Sequence, residues 1–156
     1  MAAFNGMGHL AFKVNDLDAS LDFYKKLGFP EFLRLKQSDG RTWIAYLKIS
    51  DEMFIELFPG GTGEKAAGPE RTGVHHLCLT TDDIEATAAH LDTVGIPASS
   101  PLVKDRIGVD GNRGMWVTDP DGNRIEIMEM APGCLQYEAL KALRNGEPPH
   151  SLVRPI

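Results

Sequence analysis

The sequence contains an internal repeat, and this repeat constrains the fold more than any other feature. Residues 8–30 align with residues 75–97 without a gap, at a constant offset of 67. The alignment places His9 on His76 and brings the apolar positions, a glycine and a proline of the two copies into phase. Self-similarity at a fixed offset indicates that one supersecondary unit is used twice.

Each copy begins with a predicted strand that is followed by a helix. Apolar and polar residues alternate over residues 8–14, which is typical of a half-buried strand. An acidic or amide side chain then precedes a stripe of apolar residues at helical spacing, and it can accept the free amides of the first helical turn. The candidate caps are Asn15 or Asp16 in the first copy and Asp82 or Asp83 in the second. A glycine and a proline end each helix.

Three further strands are predicted after each helix. They cover residues 31–37, 42–49 and 53–58 in the first copy and residues 98–104, 113–118 and 123–130 in the second. The Gly- and Pro-rich segment 59–72 reads as a linker. We therefore predict an α+β fold with two tandem βαβββ modules, at about 6–58 and 73–130, in a single domain that spans residues 1–156.

A helix is also predicted after the second module, in the tail that covers residues 131–156. Within residues 134–145, four apolar side chains share one helical face: Leu135, Ala139, Ala142 and Leu143. Such a face is expected to pack on the domain or on a partner subunit.

Composition excludes several classes of function. The formal net charge is −6, and no run of Lys and Arg offsets it, so nucleic acid is not an expected partner. The apolar runs are too short to span a membrane, and the N-terminal residues lack the pattern of a secretory signal. Cys78 and Cys134 are expected to be two unrelated buried thiols. We expect a cytoplasmic protein with a small-molecule substrate.

The repeat also distinguishes two adjacent histidines. His76, and not His75, is the equivalent of His9. On a strand, neighbouring side chains point to opposite faces, so His9 and His76 are predicted to lie on the face away from the helix. His75 is then predicted to lie on the helix-facing side, at the edge of the core.

A glutamate occupies the last predicted strand of each copy. Glu56 and Glu126 both lie between two aliphatic residues, where an ionised carboxylate is costly to bury without compensation. With the histidines they form a set of two imidazoles and two carboxylates, one of each per copy. Mixed nitrogen and oxygen ligation suits a divalent metal ion such as Zn, Ni, Co, Fe or Mn and leaves positions for water or substrate.

Four segments resemble the motifs of the vicinal oxygen chelate superfamily, which includes glyoxalase I, methylmalonyl-CoA epimerase, extradiol dioxygenases, and fosfomycin and bleomycin resistance proteins. These segments are GHLAFKVNDLDASLDFYKKLGF, FIELF, HHLCLTTDDIEA and WVTDPDGNRIEIME, and the resemblance covers roughly residues 6–130. It implies paired modules whose curled sheets form a metal-binding cleft, with His9, Glu56, His76 and Glu126 as the metal ligands. It also implies a homodimer.

Four protein ligands that include two glutamates are similar to the set of glyoxalase I. The resemblance implies a metal-dependent lyase or isomerase of the glyoxalase I (lactoylglutathione lyase) type. Such an enzyme transfers a proton through a metal-stabilised enediolate on a small oxygenated substrate, of which a glutathione hemithioacetal is one candidate. Glu126 is the first choice for the base and Glu56 the second.

Three alternatives stay open at this point. They are an epimerase of the methylmalonyl-CoA or sugar-derivative type, an iron-dependent extradiol-like dioxygenase, and a non-catalytic small-molecule binding or resistance protein. The candidate substrate contacts are Arg124, which shares strand parity with Glu126, and Lys13, which shares it with His9. Residues 102–116 depart from the glyoxalase pattern, so no glutathione contact is assigned there.

Overall fold

A computed structural model describes residues 3–4, 6–149 and 151, and it confirms the predicted mixed α+β fold, with two sheets and three helices among those residues. Residues 150 and 152–156 of the predicted tail lie outside the described part. The elements in chain order are β1 (His9–Val14), α1 (Leu17–Lys26), β2 (Glu31–Lys36), β3 (Thr42–Lys48), β4 (Phe54–Pro59), β5 (Leu77–Thr81), α2 (Ile84–Thr93), β6 (Arg113–Thr118), β7 (Arg124–Glu129) and α3 (Leu135–Arg144).

The chain divides into two compact units, each of which is discontinuous in sequence. Unit 1 comprises Met1–Gly73 and Thr118–Asn123. Unit 2 comprises Val74–Val117 and Arg124–Ile156. The turn between β6 and β7 therefore belongs to unit 1, although β7 and all of β6 except its last residue, Thr118, lie in unit 2. No helix of the described residues is long and apolar enough to cross a membrane.

Unit 1 contains a four-stranded sheet in the order β1-β4-β3-β2. Strand β1 runs parallel to β4, and β3 pairs antiparallel with both β4 and β2. Alternation along β4 buries Ile55 and Leu57 completely, together with Val14 of β1 and Tyr24 of α1. The odd-numbered side chains of β4 thus form the core, and the intervening Glu56 is directed to the opposite face.

The sequence left two candidates for the cap of each repeated helix, and the structure selects the second in both copies. The side chain of Asp16 accepts the amide of Ala19 at 3.0 Å. The side chain of Asp83 accepts the amide of Ala86 at 2.9 Å. Because each aspartate satisfies an amide that has no partner within its helix, the helix begins at the next residue.

The turn between β6 and β7 is held to the rest of unit 1 by two aspartates. The buried hydroxyl of Tyr24 donates to Asp119 at 2.9 Å, and the side-chain amide of Asn15 donates to Asp121 at 2.7 Å. Asp119 also accepts the backbone amides of Asp121 and Asn123, which closes the turn. Burial, and then the charge of Asp119, raises the pKa of Tyr24 far above its usual range, so this phenol stays a neutral donor.

Unit 2 contains a three-stranded sheet in the order β5-β7-β6, with β5 parallel to β7. The strand predicted over residues 98–104 is wrong, because only an isolated bridge between Ser100 and Trp116 forms there. The physical reason is that Pro97 lies just before this segment and Pro101 lies within it. A proline has no backbone N–H, so neither residue can donate a hydrogen bond to a neighbouring strand. The segment is therefore a loop in this unit.

The C-terminal helix α3 forms within the predicted range and is anchored at its first turn. The amide of Leu135 donates to the carbonyl of Asp110 at 2.8 Å, and the side chain of Gln136 donates to the carboxylate of Asp110 at 2.8 Å. Ala142 is buried as expected. Leu143 is 57% exposed within this chain, so for this side chain the alternative of packing on a partner subunit stays a prediction.

The two cysteines are unpaired, as expected, but they differ in burial. Cys134, immediately before α3, is completely buried. Cys78, on β5, is exposed, so the prediction of a buried thiol at this position is wrong. Strand alternation explains the difference, because Cys78 lies between Leu77 and Leu79 and points away from the face that packs the core.

Candidate functional site

A histidine and a glutamate come together at one end of the β1–β4 pair in unit 1. His9 is the first residue of β1, and Glu56 lies on the parallel strand β4 between two fully buried aliphatic residues. The His9 Nε2 atom is 3.6 Å from Glu56 Oε2, and the glutamate side chain is only 13% exposed. The predicted proximity of these two residues is thus a feature of the structure.

Aromatic side chains surround this first pair. The imidazole of His9 stacks on Phe54 with a centroid separation of 5.3 Å. Tyr46 and Phe32 continue the cluster, at 5.7 and 5.9 Å from Phe54. The pKa of Tyr46 is raised, first by burial and then by the charge of Glu56 and a hydrogen bond with it. Tyr46 therefore stays protonated at neutral pH and holds the carboxylate in place.

Unit 2 contains the second pair, in a corresponding arrangement. His76 directly precedes β5, and Glu126 lies on the parallel strand β7 between the buried residues Ile125 and Ile127. The His76 Nε2 atom is 3.2 Å from Glu126 Oε2, and the glutamate side chain is 18% exposed. The repeat is therefore preserved in the geometry of the two pairs as well as in the sequence.

His75 lies next to His76, so its predicted position at the edge of the core is wrong. Strand β5 begins only at Leu77, so strand alternation does not apply to the two histidines. The ring of His75 is exposed and lies edge-on to His76, with the two Nδ1 atoms 2.6 Å apart. Its Nε2 atom is 3.2 Å from Nη1 of Arg124.

The direction of the first hydrogen bond in this group follows from the arginine. A guanidinium can only donate, so Nε2 of His75 accepts from Arg124. The other ring nitrogen of His75, Nδ1, contacts Nδ1 of His76, and Nε2 of His76 faces Glu126. A continuous series of polar contacts thus runs from Arg124 through both histidines to the carboxylate.

Arg124 is further fixed by Trp116 of strand β6. The centre of its guanidinium lies 4.4 Å from the centroid of the indole ring, which is a cation–π geometry. Trp116 also packs edge-on against His76, with a centroid separation of 4.9 Å. The predicted substrate contact Arg124 therefore lies in the immediate surroundings of His76.

Lys13, the other predicted substrate contact, lies near the end of β1. Its ammonium donates to the carbonyl oxygen of Pro59 at 2.7 Å. This exposed cation therefore already has a backbone partner.

The thiol of Cys78 adjoins Glu126, its register partner on β7. The pKa of Cys78 is raised to about 11, first by partial burial and then by the charge of Glu126 and a hydrogen bond with it. A thiol in this state is a weak nucleophile at neutral pH, because the thiolate is the reactive form.

A pocket of about 260 Å³ opens beside Glu126 within unit 2. Its walls come from β6, β7 and the loop that replaces the predicted strand over 98–104, and they include Trp116, Met128, Arg106 and Asp110. The sequence did not indicate this pocket. The available signal was Gly114 on β6, because a Cβ atom at this position would lie only 3.9 Å from the Glu126 carboxylate.

Both pairs suit a divalent metal. Two ligand atoms at about 2.1 Å from one ion, in neighbouring coordination positions, lie about 3.0–3.4 Å apart. The separations of 3.6 and 3.2 Å between ring nitrogen and carboxylate oxygen are close to this range. Among the described residues, the structure brings the four predicted ligands together as two pairs, and it gathers no group of three or more candidate ligands at one point.

Each unit contains strands and a helix, and each places a histidine at or just before the start of one strand and a glutamate on the strand parallel to it. This repetition defines a protein of two similar modules. Residues 6–127 match the family model described as the Glyoxalase/Bleomycin resistance protein/Dioxygenase superfamily, and the chain belongs to this superfamily. This result confirms the resemblance seen in the sequence motifs.

Individual relatives extend this result. The chain is 30% identical over 126 residues to the uncharacterized protein YwbC of Bacillus subtilis, an alignment that covers 78% of this chain and 94% of that protein. It is 24% identical over 136 residues to a lactoylglutathione lyase of Schizosaccharomyces pombe, covering 78% of this chain and 44% of that enzyme. The structure of a glyoxalase family protein from Enterococcus faecalis matches with a TM-score of 0.68 at 27% identity, covering 81% of this chain and 98% of that one.

Proposed function

We propose that the protein is a metal-dependent lyase or isomerase of the glyoxalase I type. The observation that carries this proposal is the occurrence, in both units, of a histidine nitrogen 3.2–3.6 Å from a half-buried glutamate oxygen. Members of this superfamily commonly use divalent metals, and many of them are enzymes. The similarity to the lactoylglutathione lyase of Schizosaccharomyces pombe supports this reaction type over the other activities of the superfamily.

The proposed metal ligands are the four residues predicted from the sequence: His9, Glu56, His76 and Glu126. When bound, a divalent ion would polarise an oxygen of the substrate and so make the neighbouring C–H bond more acidic. The histidines bind such an ion in their neutral form, and both are partly exposed and therefore accessible to it.

Glu126 is the proposed base. It borders the pocket of unit 2, so a substrate in that pocket can bring a C–H bond within reach of the carboxylate. Glu56 is the second choice, because it does not border this pocket. The proposed substrate is a small oxygenated molecule, with a glutathione hemithioacetal as the first candidate, and the proposed active form is a cytoplasmic homodimer.

The test begins with the metal content of the purified protein, measured by elemental analysis before and after treatment with a chelator. We expect bound divalent metal in the wild-type protein and a strong loss in His9→Ala and in His76→Ala. His90→Ala, a change of the same type on helix α2, serves as the control and should retain the metal. If His9→Ala and His76→Ala each lose all of the metal, one ion depends on both pairs. If each variant loses half of the metal, the two pairs bind separate ions.

Activity is then measured on the methylglyoxal–glutathione hemithioacetal with Ni²⁺, Zn²⁺ or Fe²⁺ added to the metal-free protein. We expect isomerase turnover that Glu126→Gln reduces by a factor of at least 100. Metal without any turnover would reject the glyoxalase reaction. Absence of metal, together with unchanged ligand binding in His9→Ala and Glu126→Gln, would reject the enzyme proposal altogether.

A further inference from the structure

Arg124 differs from the other half-buried arginine of the described residues. Arg113 forms ion pairs with Glu85 at 2.7 Å and with Glu129 at 3.4 Å. Arg124 is also half-buried, yet within the described part of the chain no carboxylate pairs with it, and it contacts a histidine nitrogen and an indole ring. A partly buried guanidinium without an anion is unusual, because burial of a charge is costly unless the charge is paired.

The contacts of Arg124 hold its guanidinium in one orientation and leave most of its donors unused. Trp116 covers one face of the group, and His75 accepts one of its five N–H bonds. The remaining donors lie in the plane of the guanidinium, which is the direction from which a carboxylate binds with two parallel hydrogen bonds. Arg124 is thus preorganised for an anion.

The internal repeat provides a comparison for this arrangement. At the offset of 70 that relates Glu56 to Glu126, Trp116 corresponds to Tyr46 and Arg124 corresponds to Phe54. The aromatic residue beside the glutamate is therefore retained in both copies, whereas the neighbouring position carries Phe54 in unit 1 and a cation in unit 2. Since the same backbone position accepts an aromatic ring, the arginine is not required for the fold of the module.

We propose that Arg124 is a specificity-determining residue that binds a carboxylate group of the substrate, and that His75 is the residue that positions it. This inference rests on the proposed function, because it takes the bound carboxylate to be part of the substrate on which the proposed enzyme acts. Arg124 lies two residues before Glu126 on strand β7, so both side chains lie on one face of the strand. The substrate class is therefore a small oxygenated acid.

A carboxylate fits this position better than a phosphate. Arg124 is a single cation, and the acidic Glu126 lies on the same face of its strand. A monoanion is matched by one guanidinium, whereas a phosphate dianion would meet the same glutamate with only one compensating charge.

Trp116 provides a direct reporter for this binding. The chain contains two tryptophans, and the other one, Trp43, is 51% exposed on strand β3. Trp43→Phe therefore leaves Trp116 as the sole indole. In this background, metal-free protein is titrated with propionate at constant ionic strength, and its uncharged analogue propionamide and inorganic phosphate are titrated in parallel. We expect a saturable change in fluorescence with propionate and little change with the other two.

Variants then locate the binding group. Arg124→Gln should weaken propionate binding at least tenfold, and Arg124→Met, which retains a long side chain without the charge, should do the same. Arg124→Lys should bind with intermediate affinity, because an ammonium cannot form the paired hydrogen bonds. Arg144→Gln removes the same charge from an exposed position on α3 and should bind as the parent does.

The role of His75 is tested by removal and rescue. His75→Ala should weaken propionate binding several-fold, and His75→Gln, which restores a hydrogen-bond acceptor, should recover part of the loss. Unchanged binding in Arg124→Gln, an equal loss in Arg144→Gln, or equal binding of propionamide would overturn the proposal. Tighter binding of phosphate than of propionate would overturn the assignment to a carboxylate.

These titrations are independent of the metal. If the protein as purified contains no metal but still binds propionate through Arg124, the proposed function is contradicted and the inferred anion site is supported. A protein that holds metal through His76 but binds propionate equally well with and without Arg124 would contradict this inference alone.

Discussion

The two glutamates of the candidate site owe their orientation to the residues on either side of them. Ile55 and Leu57 flank Glu56, as Ile125 and Ile127 flank Glu126, and all four are buried to at least 96%. Since adjacent side chains of a strand point to opposite faces, burial of the flanking residues directs each carboxylate away from the core. The local sequence thus determines the orientation of the glutamate side chain.

The thiol of Cys78 provides a test of the electrostatics around Glu126. In metal-free protein at pH 8, we expect iodoacetamide to modify Cys78 on the order of 100-fold more slowly than a free thiol, because a pKa of about 11 leaves little thiolate. The rate should rise with pH up to about 11. It is measured by peptide mass spectrometry, which separates Cys78 from the buried Cys134.

Glu126→Gln should make Cys78 react faster at pH 8, because it removes the negative charge that opposes the thiolate. The pKa should remain above the ordinary value of about 8.5, since burial is the larger cause and is unchanged. A rate equal to that of a free thiol in the unmodified protein would contradict the raised pKa.

Tyr24→Phe removes one hydroxyl from the buried contact with Asp119. We expect the free energy of unfolding to fall by about 1–3 kcal/mol, because the hydrogen bond to a carboxylate is lost within the core. Urea denaturation gives the value. Tyr137→Phe, the same change at a residue that is 45% exposed on α3, should leave the stability unaltered.

At the scale of elements, the ends of the repeated helices depend on single caps. Asp83→Ala should lower the free energy of unfolding by about 1 kcal/mol, since the amide of Ala86 loses its acceptor. Asp82→Ala is the matched control, because it removes the same charge one residue earlier. Equal losses in the two variants, measured by urea denaturation, would assign the effect to charge and not to capping.

The sequence predicted most elements because their patterns are local. Alternation and helical spacing identified β1, α1 and α2, and the structure places their ends within a few residues of the prediction. The prediction of a strand over 98–104 was wrong, because two prolines in and beside this segment cannot donate backbone hydrogen bonds to a neighbouring strand. The position predicted for His75 from strand alternation was also wrong, because strand β5 begins only at Leu77, two residues after it.

At the scale of the whole molecule, unit 1 should depend on the turn between β6 and β7. A fragment of residues 1–73 lacks Asp119 and Asp121, so the side chains of Tyr24 and Asn15 lose their partners. We expect this fragment to show no cooperative unfolding transition in urea.

The same fragment extended by residues 117–124 through a Gly/Ser linker is the matched control. We expect it to regain a cooperative transition, because the two aspartates are present again. Equal cooperativity of the fragments with and without this extension would show that the turn is dispensable.

The candidate site could be predicted from the sequence only in part. The repeat identified the histidine and glutamate of each pair, because equivalent positions in two copies support one another. The contacts of Arg124 with His75 and Trp116 involve residues from three separate segments, and no local pattern relates them. The pocket beside Glu126 likewise depends on the path of a loop, which side-chain periodicity does not encode.

The discontinuity of unit 1 bears on the order in which the chain is synthesised. Residues 1–73 leave the ribosome first, but Asp119 and Asp121, which bind Tyr24 and Asn15, emerge about a hundred residues after those partners. Nascent unit 1 must therefore wait, with its central tyrosine unpaired, until most of unit 2 has been translated. Codon changes that slow translation between the two segments would prolong this exposed state and lower the yield of native protein without altering any residue.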